Sequence, residues 1–311
     1  MDRQRIDRRS APPGAAFSAW KGPDGWPHRR MDWLQPEGAE RRGSLLFASG
    51  RGDFIEKYFE AHHHWHRAGW DVTTFDWRSQ GGSRGDIVGG HLESLEPLVG
   101  DLEALIREWQ AEREGPYVVI GHSMGGHLVL RTLIERGPAI DAAVLVAPML
   151  GINSGPVPAW AAAWAAGLAG MSGWATAPVW RPSGPAPAGS VRQAILTSCP
   201  ERYEDELWWW EKEPGFNLGS PSWGWLNAAY RSCQALRPQA LSSVQTPLLL
   251  VGTERDRLVS PQAISDAAAA IPGAELLMFP DAGHEILREA DPVRLAALAR
   301  IDDFLGRHAR A

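Results

Sequence analysis

Short runs of β-branched and aliphatic residues alternate along most of this chain with segments whose apolar positions recur every three or four residues. That alternation predicts a parallel sheet with crossover helices, an α/β fold. Strands are predicted at 44–48, 70–77, 117–120 and 142–147, with helices at 54–68, 92–112 and 125–135. Within 92–112 the apolar residues Leu95, Leu98, Leu102, Leu105 and Ile106 form one helical face. The wholly apolar run at 117–120 suits the centre of a sheet. From 151 to 237 the pattern changes: Pro, Gly and Trp dominate and strand runs vanish. The alternation resumes with strands at 247–251 and 275–279 and helices at 262–270 and 292–307. The expected architecture is a mostly parallel, doubly wound sheet formed by residues 1–150 and 238–311. Residues 151–237 are expected to form an inserted, mostly helical cap.

A length of 311 residues is enough to bury a full core as one large domain. With 31 basic and 37 acidic residues the net charge is −6, which argues against a nucleic-acid partner. The basic start (Arg3, Arg5, Arg8, Arg9) reads as a short disordered tail. No apolar segment follows it, so a signal peptide is not expected and a cytoplasmic location is. Cys199 and Cys233 read as free thiols of a reducing compartment. No charged residue falls between Asp141 and Arg181. Pro148, Pro156, Pro158 and Pro178 interrupt that stretch, which argues against a spanning helix. The chain holds 16 Trp, nine of them between Trp160 and Trp225, and that cluster calls for a local explanation.

Gly121-His122-Ser123-Met124-Gly125 fits the G-x-S-x-G pattern, and its context makes it informative. A strand runs into it and a helix leaves it, so Ser123 is expected on a strained turn with its hydroxyl exposed as a nucleophile. Such a serine needs a histidine to take its proton and a carboxylate to orient the histidine. Past the strand at 247–251 the loop offers Glu254 and Asp256. Asp256 is the choice because Asp-Arg-Leu-Val suits an acid loop, with Glu254 the alternative. Past the strand at 275–279, His284 stands in a Gly-His loop before the last helix, the place for the base. The amides of Met124 and Arg51 are expected to form an oxyanion hole. The Arg51 guanidinium is a further candidate for a polar or anionic head group. His62, His63 and His64 diverge around a helix, so they read as a polar face and no metal site is expected.

These residues resemble the lysophospholipase and monoglyceride-lipase branch of the α/β-hydrolases. The likeness rests on four stretches, at 49–58, 76–83, 219–226 and 284–289, and spans about residues 40–306. Ser49-Gly50 stands where many relatives carry His-Gly. Ser79 replaces a glycine in the second stretch, so distortion of that turn is expected. The resemblance implies cofactor-free hydrolysis of an ester of a monoacyl lipid, a lysophospholipid or a monoacylglycerol. Trp160, Trp164 and Leu168 would form one stripe on a cap helix. With Trp223, the two tryptophans are candidates to line an acyl pocket or meet a membrane surface. A capped aminopeptidase using Glu201, Glu204, Asp205 and Glu206 as an amine subsite is the enzymatic alternative. A binding protein on an inactive hydrolase fold is the other.

Overall fold

A computed structural model describes residues 6–85, 87–171, 173–180 and 186–310, for Val88 the backbone alone. The chain opens with β1 (Ala16–Lys21) and β2 (Pro27–Trp33), an antiparallel pair. The βα alternation follows: β3 (Gly43–Ala48), α1 (Phe59–Arg67), β4 (Trp70–Phe75), α2 (Glu96–Glu112), β5 (Tyr117–His122), α3 (Met124–Arg136) and β6 (Ala142–Val146). Next come the helices α4 (Ala159–Met171), α5 (Val191–Leu196), α6 (Pro200–Lys212), α7 (Trp223–Ala235) and the short α8 (Pro238–Leu241). The core closes with β7 (Leu248–Thr253), α9 (Pro261–Ala270), β8 (Glu275–Phe279) and α10 (Asp291–His308).

The eight strands form one sheet in the order β1-β2-β4-β3-β5-β6-β7-β8, parallel from β4 onward. Its central strands are wholly buried because their successive side chains feed two separate layers. Leu46, Val119, Leu145 and Leu250 face α2, α3 and α9. Leu45, Phe47, Ile120, Val144 and Leu249 face α1 and α10. Local chemistry sets the helix ends. Pro stands in the first turn of α2, α6, α8, α9 and α10, where its missing N–H has no partner to lose. Ser190, Ser222 and Ser260 cap α5, α7 and α9 with their hydroxyls.

The hairpin β1–β2 is absent from the sequence-based expectation, for a physical reason. The buried positions of β2 include His28 and Arg30, which break any apolar alternation. Both meet carboxylates: His28 lies 3.3 Å from Asp101 of α2, and Arg30 pairs with Asp32 of its own strand at 2.8 Å and donates to Glu112 of α2 at 2.6 Å.

Arg3 and Arg5 lie outside the described residues. Arg8 and Arg9 correct the disordered-tail reading: both guanidinium groups pair with Asp205 of α6, Arg9 at 2.7 Å. The histidine run is not a polar face either. His62 is fully buried against Phe47 and Tyr58 with neither ring nitrogen bonded, and burial lowers its pKa to about 3. His63 packs on Trp33, and His64 binds Asp302 at 2.7 Å. Cys199 and Cys233 are unbridged.

Candidate active site

β5 runs straight into the turn that carries Ser123, whose φ of 52° and ψ of −116° lie outside ordinary backbone regions. A Cβ on Gly121 would stand 2.6 Å from the Gly126 Cα, so a side chain there would force strand and helix apart. The strained serine is held by backbone hydrogen bonds, including one from the His127 amide to its carbonyl at 3.1 Å. Its N–H donates to the Val146 carbonyl at 2.9 Å, and its own carbonyl accepts from Met149 at 3.0 Å.

Three loops at the carboxyl ends of β5, β7 and β8 bring Ser123, Asp256 and His284 together, as expected where ligands meet a parallel sheet. His284 Nε2 lies 2.9 Å from Ser123 Oγ, and His284 Nδ1 lies 2.7 Å from Asp256 Oδ2. The other Asp256 oxygen accepts from the amides of Leu258 at 2.8 Å and Val259 at 2.9 Å. Glu254 is exposed and does not approach His284. An ionised Asp256 only accepts, so it fixes the His284 proton on Nδ1 and leaves Nε2 free to accept from the serine hydroxyl. Burial pushes the Asp256 carboxyl up, but His284 and the two amides outweigh it and hold it below its ordinary value. Burial pulls the His284 imidazole down. The charges of Asp256 and Glu285 outweigh that and raise it.

The loop after β3 crosses directly over the serine: a Cβ on Gly50 would stand 3.1 Å from Ser123 Cβ. The Gly50 amide donates to Asp53 Oδ2 at 2.8 Å and the Gly52 amide to Gln80 Oε1. Between them the amide of Arg51 finds no acceptor among the described residues, and neither does that of Met124. Two N–H groups without an acceptor among the described residues thus belong to the residues that follow Gly50 and Ser123.

Trp160 and Trp164 are not gathered over the serine. With Leu168 they do form one stripe on α4, but at 75%, 68% and 48% exposure. Trp223 is half-buried at the start of α7.

Beneath the His284 loop lies a cluster that sequence reasoning missed. Lys57 Nζ reaches Asp53 at 2.7 Å, Glu285 at 2.6 Å and Glu206 of α6 at 3.2 Å. Arg192 of α5 binds Glu206 at 2.9 Å, and Arg288 binds Glu285. Three carboxylates thus face three cations, which is what lets them be buried. Tyr58 donates to Asp53 at 3.1 Å and lies 2.9 Å from His122 Nδ1. His122 points away from Ser123 Oγ, but its ring packs 5.1 Å from that of His284. The His284 and Glu285 amides donate to Ile195 and Leu196 of α5 at 3.0 and 2.8 Å, so a helix of the inserted segment grips the histidine loop. The available signal was the segment at 49–58, whose Glu56, Lys57 and Tyr58 had no assigned task. Glu56 meets the second motif through Arg29, which donates to Glu56 at 2.7 and 2.6 Å and to Asp76 at 2.7 Å. Ser79, in that second motif, sits at a φ of 66°, the left-handed region that glycine favours.

A mostly parallel sheet flanked by helices, with a serine elbow after its central strand, defines an α/β-hydrolase. The chain matches the Hydrolase_4 family, described as serine aminopeptidase S33, over residues 39–291, and it belongs to that family. It is a serine hydrolase. It is 29% identical over 286 residues to lysophospholipase L2 of Escherichia coli K12, covering 85% of this chain and 80% of that protein. To a probable lysophospholipase L2 of Haemophilus influenzae it is 27% identical over 280 residues, covering 88% and 86%. A soluble variant of monoglyceride lipase from Saccharomyces cerevisiae, solved with a substrate analogue, superposes with a TM-score of 0.77. That match covers 98% of this chain and 99% of the other at 17% identity, a likeness of fold.

Proposed function

We propose that this protein is a serine esterase of monoacyl lipids, with lysophospholipids or monoacylglycerols as substrates. The observation that carries this reading is the hydrogen-bonded line from Asp256 through His284 to Ser123, flanked by the free amides of Arg51 and Met124. Ser123 Oγ attacks the acyl carbon as His284 Nε2 takes its proton. The Arg51 and Met124 amides receive the charge that develops on the carbonyl oxygen. His284 then protonates the departing alcohol, and water repeats the sequence to release the fatty acid. The names of the bacterial relatives support a lysophospholipid substrate.

Residues 151–237 act in this reading as a cap over the site. Its helix α4 presents Trp160, Trp164 and Met171, and the following loop presents Trp174 and Trp180, all more than half exposed. No charged side chain falls among residues 142–180. Such a surface suits contact with a lipid interface, where tryptophan is favoured and the substrate resides. Among the described residues no helix is long and apolar enough to cross a membrane.

The family's description also names aminopeptidases, which need an acid for the substrate amine. Here Asp205 is engaged by Arg8 and Arg9, and Glu206 by Lys57 and Arg192. Glu201 and Glu204 are exposed, so the site's own acids favour the ester reading. A fluorophosphonate probe should label the native protein and not Ser123→Ala. Hydrolysis of lysophospholipids or monoacylglycerols without cleavage of aminoacyl anilides is the expected substrate pattern. Anilide cleavage without lipid hydrolysis would reverse the assignment.

A further inference from the structure

Among the described residues, Arg51 is a cation held without an anion. Other arginines around the site are each matched to carboxylates: Arg29 to Asp76 and Glu56, Arg78 to Asp24 and Asp101, Arg192 to Glu206, and Arg288 to Glu285. Among the described residues none reaches Arg51. Its guanidinium donates instead to two backbone carbonyls, Gly89 at 2.8 Å and Gly219 at 3.2 Å, and lies 4.9 Å from the centroid of the buried Trp225 ring. Nε is closed off from solvent with no partner. The side chain is half-buried, and that burial lowers the group to about 9, which leaves it charged at neutral pH. An arginine carries five N–H donors, and among the described residues two of them find acceptors.

Burying a charge without a counter-charge is costly, and the carbonyls orient the cation without neutralising it. The indole face holds its plane. Arg51 directly follows Gly50, whose Cβ position would stand 3.1 Å from Ser123 Cβ, so the cation is carried by the loop that crosses the nucleophile. A planar fork with spare donors in such a place matches the oxygens of a phosphate. We propose that the Arg51 side chain is the phosphate subsite of the substrate pocket and takes the phosphate ester of a monoacyl glycerophospholipid while the Arg51 amide takes the ester carbonyl. This rests on the ester-hydrolase reading of Ser123. The phosphate supplies a counter-charge, so substrate binding relieves the cost of the half-buried cation.

The competing role is a structural tie between the loop after β3 and the Gly219 segment. Arg51→Gln keeps an N–H donor for a carbonyl and removes the charge, whereas Arg51→Lys keeps the charge. Each is to be assayed on a lysophospholipid and on a monoacylglycerol of the same acyl chain, reading the ratio of their kcat/KM values. Loss of charge should lower the phosphate-to-neutral ratio about 10- to 100-fold, the worth of a charge-assisted hydrogen bond, and Lys should lower it less. Glycerol 3-phosphate should inhibit hydrolysis of a short uncharged ester more strongly than inorganic phosphate does, and less so in Arg51→Gln. Rates on both lipids that fall in parallel, leaving the ratio unmoved, would mean a structural tie and overturn the proposal. Equal inhibition by inorganic phosphate and glycerol 3-phosphate would overturn the lipid headgroup as its source. A native protein that hydrolyses neither lipid would instead fail the ester reading itself, and the subsite with it.

Discussion

At the scale of single residues, the pair Asp256–His284 carries a pH dependence whose sign follows from its charges. A protonated imidazole cannot take the serine proton, so activity is lost as pH falls through the His284 pKa. That pKa lies above the ordinary histidine value of 6.5 because the Asp256 charge outweighs burial. The acid limb of kcat/KM on a soluble ester should therefore have its midpoint above 6.5. Asp256→Asn should move that limb to lower pH and slow the reaction by about a thousandfold or more, since the histidine loses its orienting acceptor. Glu254→Ala, at an exposed position, should stay within about twofold of the native rate, as surface changes commonly do. A pH–rate profile of the three proteins checks all of this. An acid limb unmoved in Asp256→Asn would remove the carboxylate from the role given to it.

At the scale of elements, α4 is unusual in burying only Ala166 while its tryptophans face outward. A helix apolar on its exposed side is costly in water unless something covers it. If the cover is a lipid surface, Trp160→Asp with Trp164→Asp should weaken binding to phosphatidylcholine vesicles by at least about tenfold, given the area each indole would bury. Co-sedimentation with vesicles measures it. Unchanged binding would place the contact elsewhere.

Other elements show how far the sequence could be read. The elbow was legible because a strand, two glycines and a helix constrain one another within a few residues. Strand β2 was not, since its buried His28 and Arg30 look polar until Asp101 and Glu112 of α2 arrive from far along the chain. The α4 stripe was legible as a stripe, yet periodicity alone cannot say which face a helix turns to solvent.

At the scale of the molecule, the buried cluster around Lys57 joins the core to α5 and α6 of the inserted segment. Lys57 shares its charge among carboxylates from three parts of the chain, so its loss strands charge in the interior. Lys57→Met should lower the unfolding free energy by about 3–5 kcal/mol, the usual effect of breaking a buried pair, as measured by urea unfolding. The cluster also predicts acid sensitivity. Burial raises Glu285, but Lys57 and Arg288 outweigh it and hold it at about 2, below its ordinary 4.5. Asp53 is likewise held well below its ordinary value, with Lys57 and His122 outweighing burial. A carboxyl depressed in the folded state contributes stability above its unfolded pKa and loses it as pH falls toward the folded one. Stability should thus drop between about pH 4.5 and pH 2, and this slope should shrink in Lys57→Met. A slope identical to the native one would show that Lys57 does not hold these carboxyls down.

The sequence by itself determined the alternating βα pattern, the serine elbow and the order in which a carboxylate and a histidine follow it. All three are written in local spacing, in glycines where backbones must close, and in the short reach from a strand end to its loop. The Asp-Arg-Leu-Val pattern favoured Asp256 over Glu254, and the tertiary structure decided it, because which of two carboxylates two residues apart faces His284 depends on how the folded loop turns them. It decided that Lys57 and Tyr58 serve a buried charge cluster, since their partners come from residues 206 and 285. It also decided that Arg51 meets no carboxylate among the described residues, for the absence of a partner is a property of everything around a residue and is written nowhere in its neighbours along the chain.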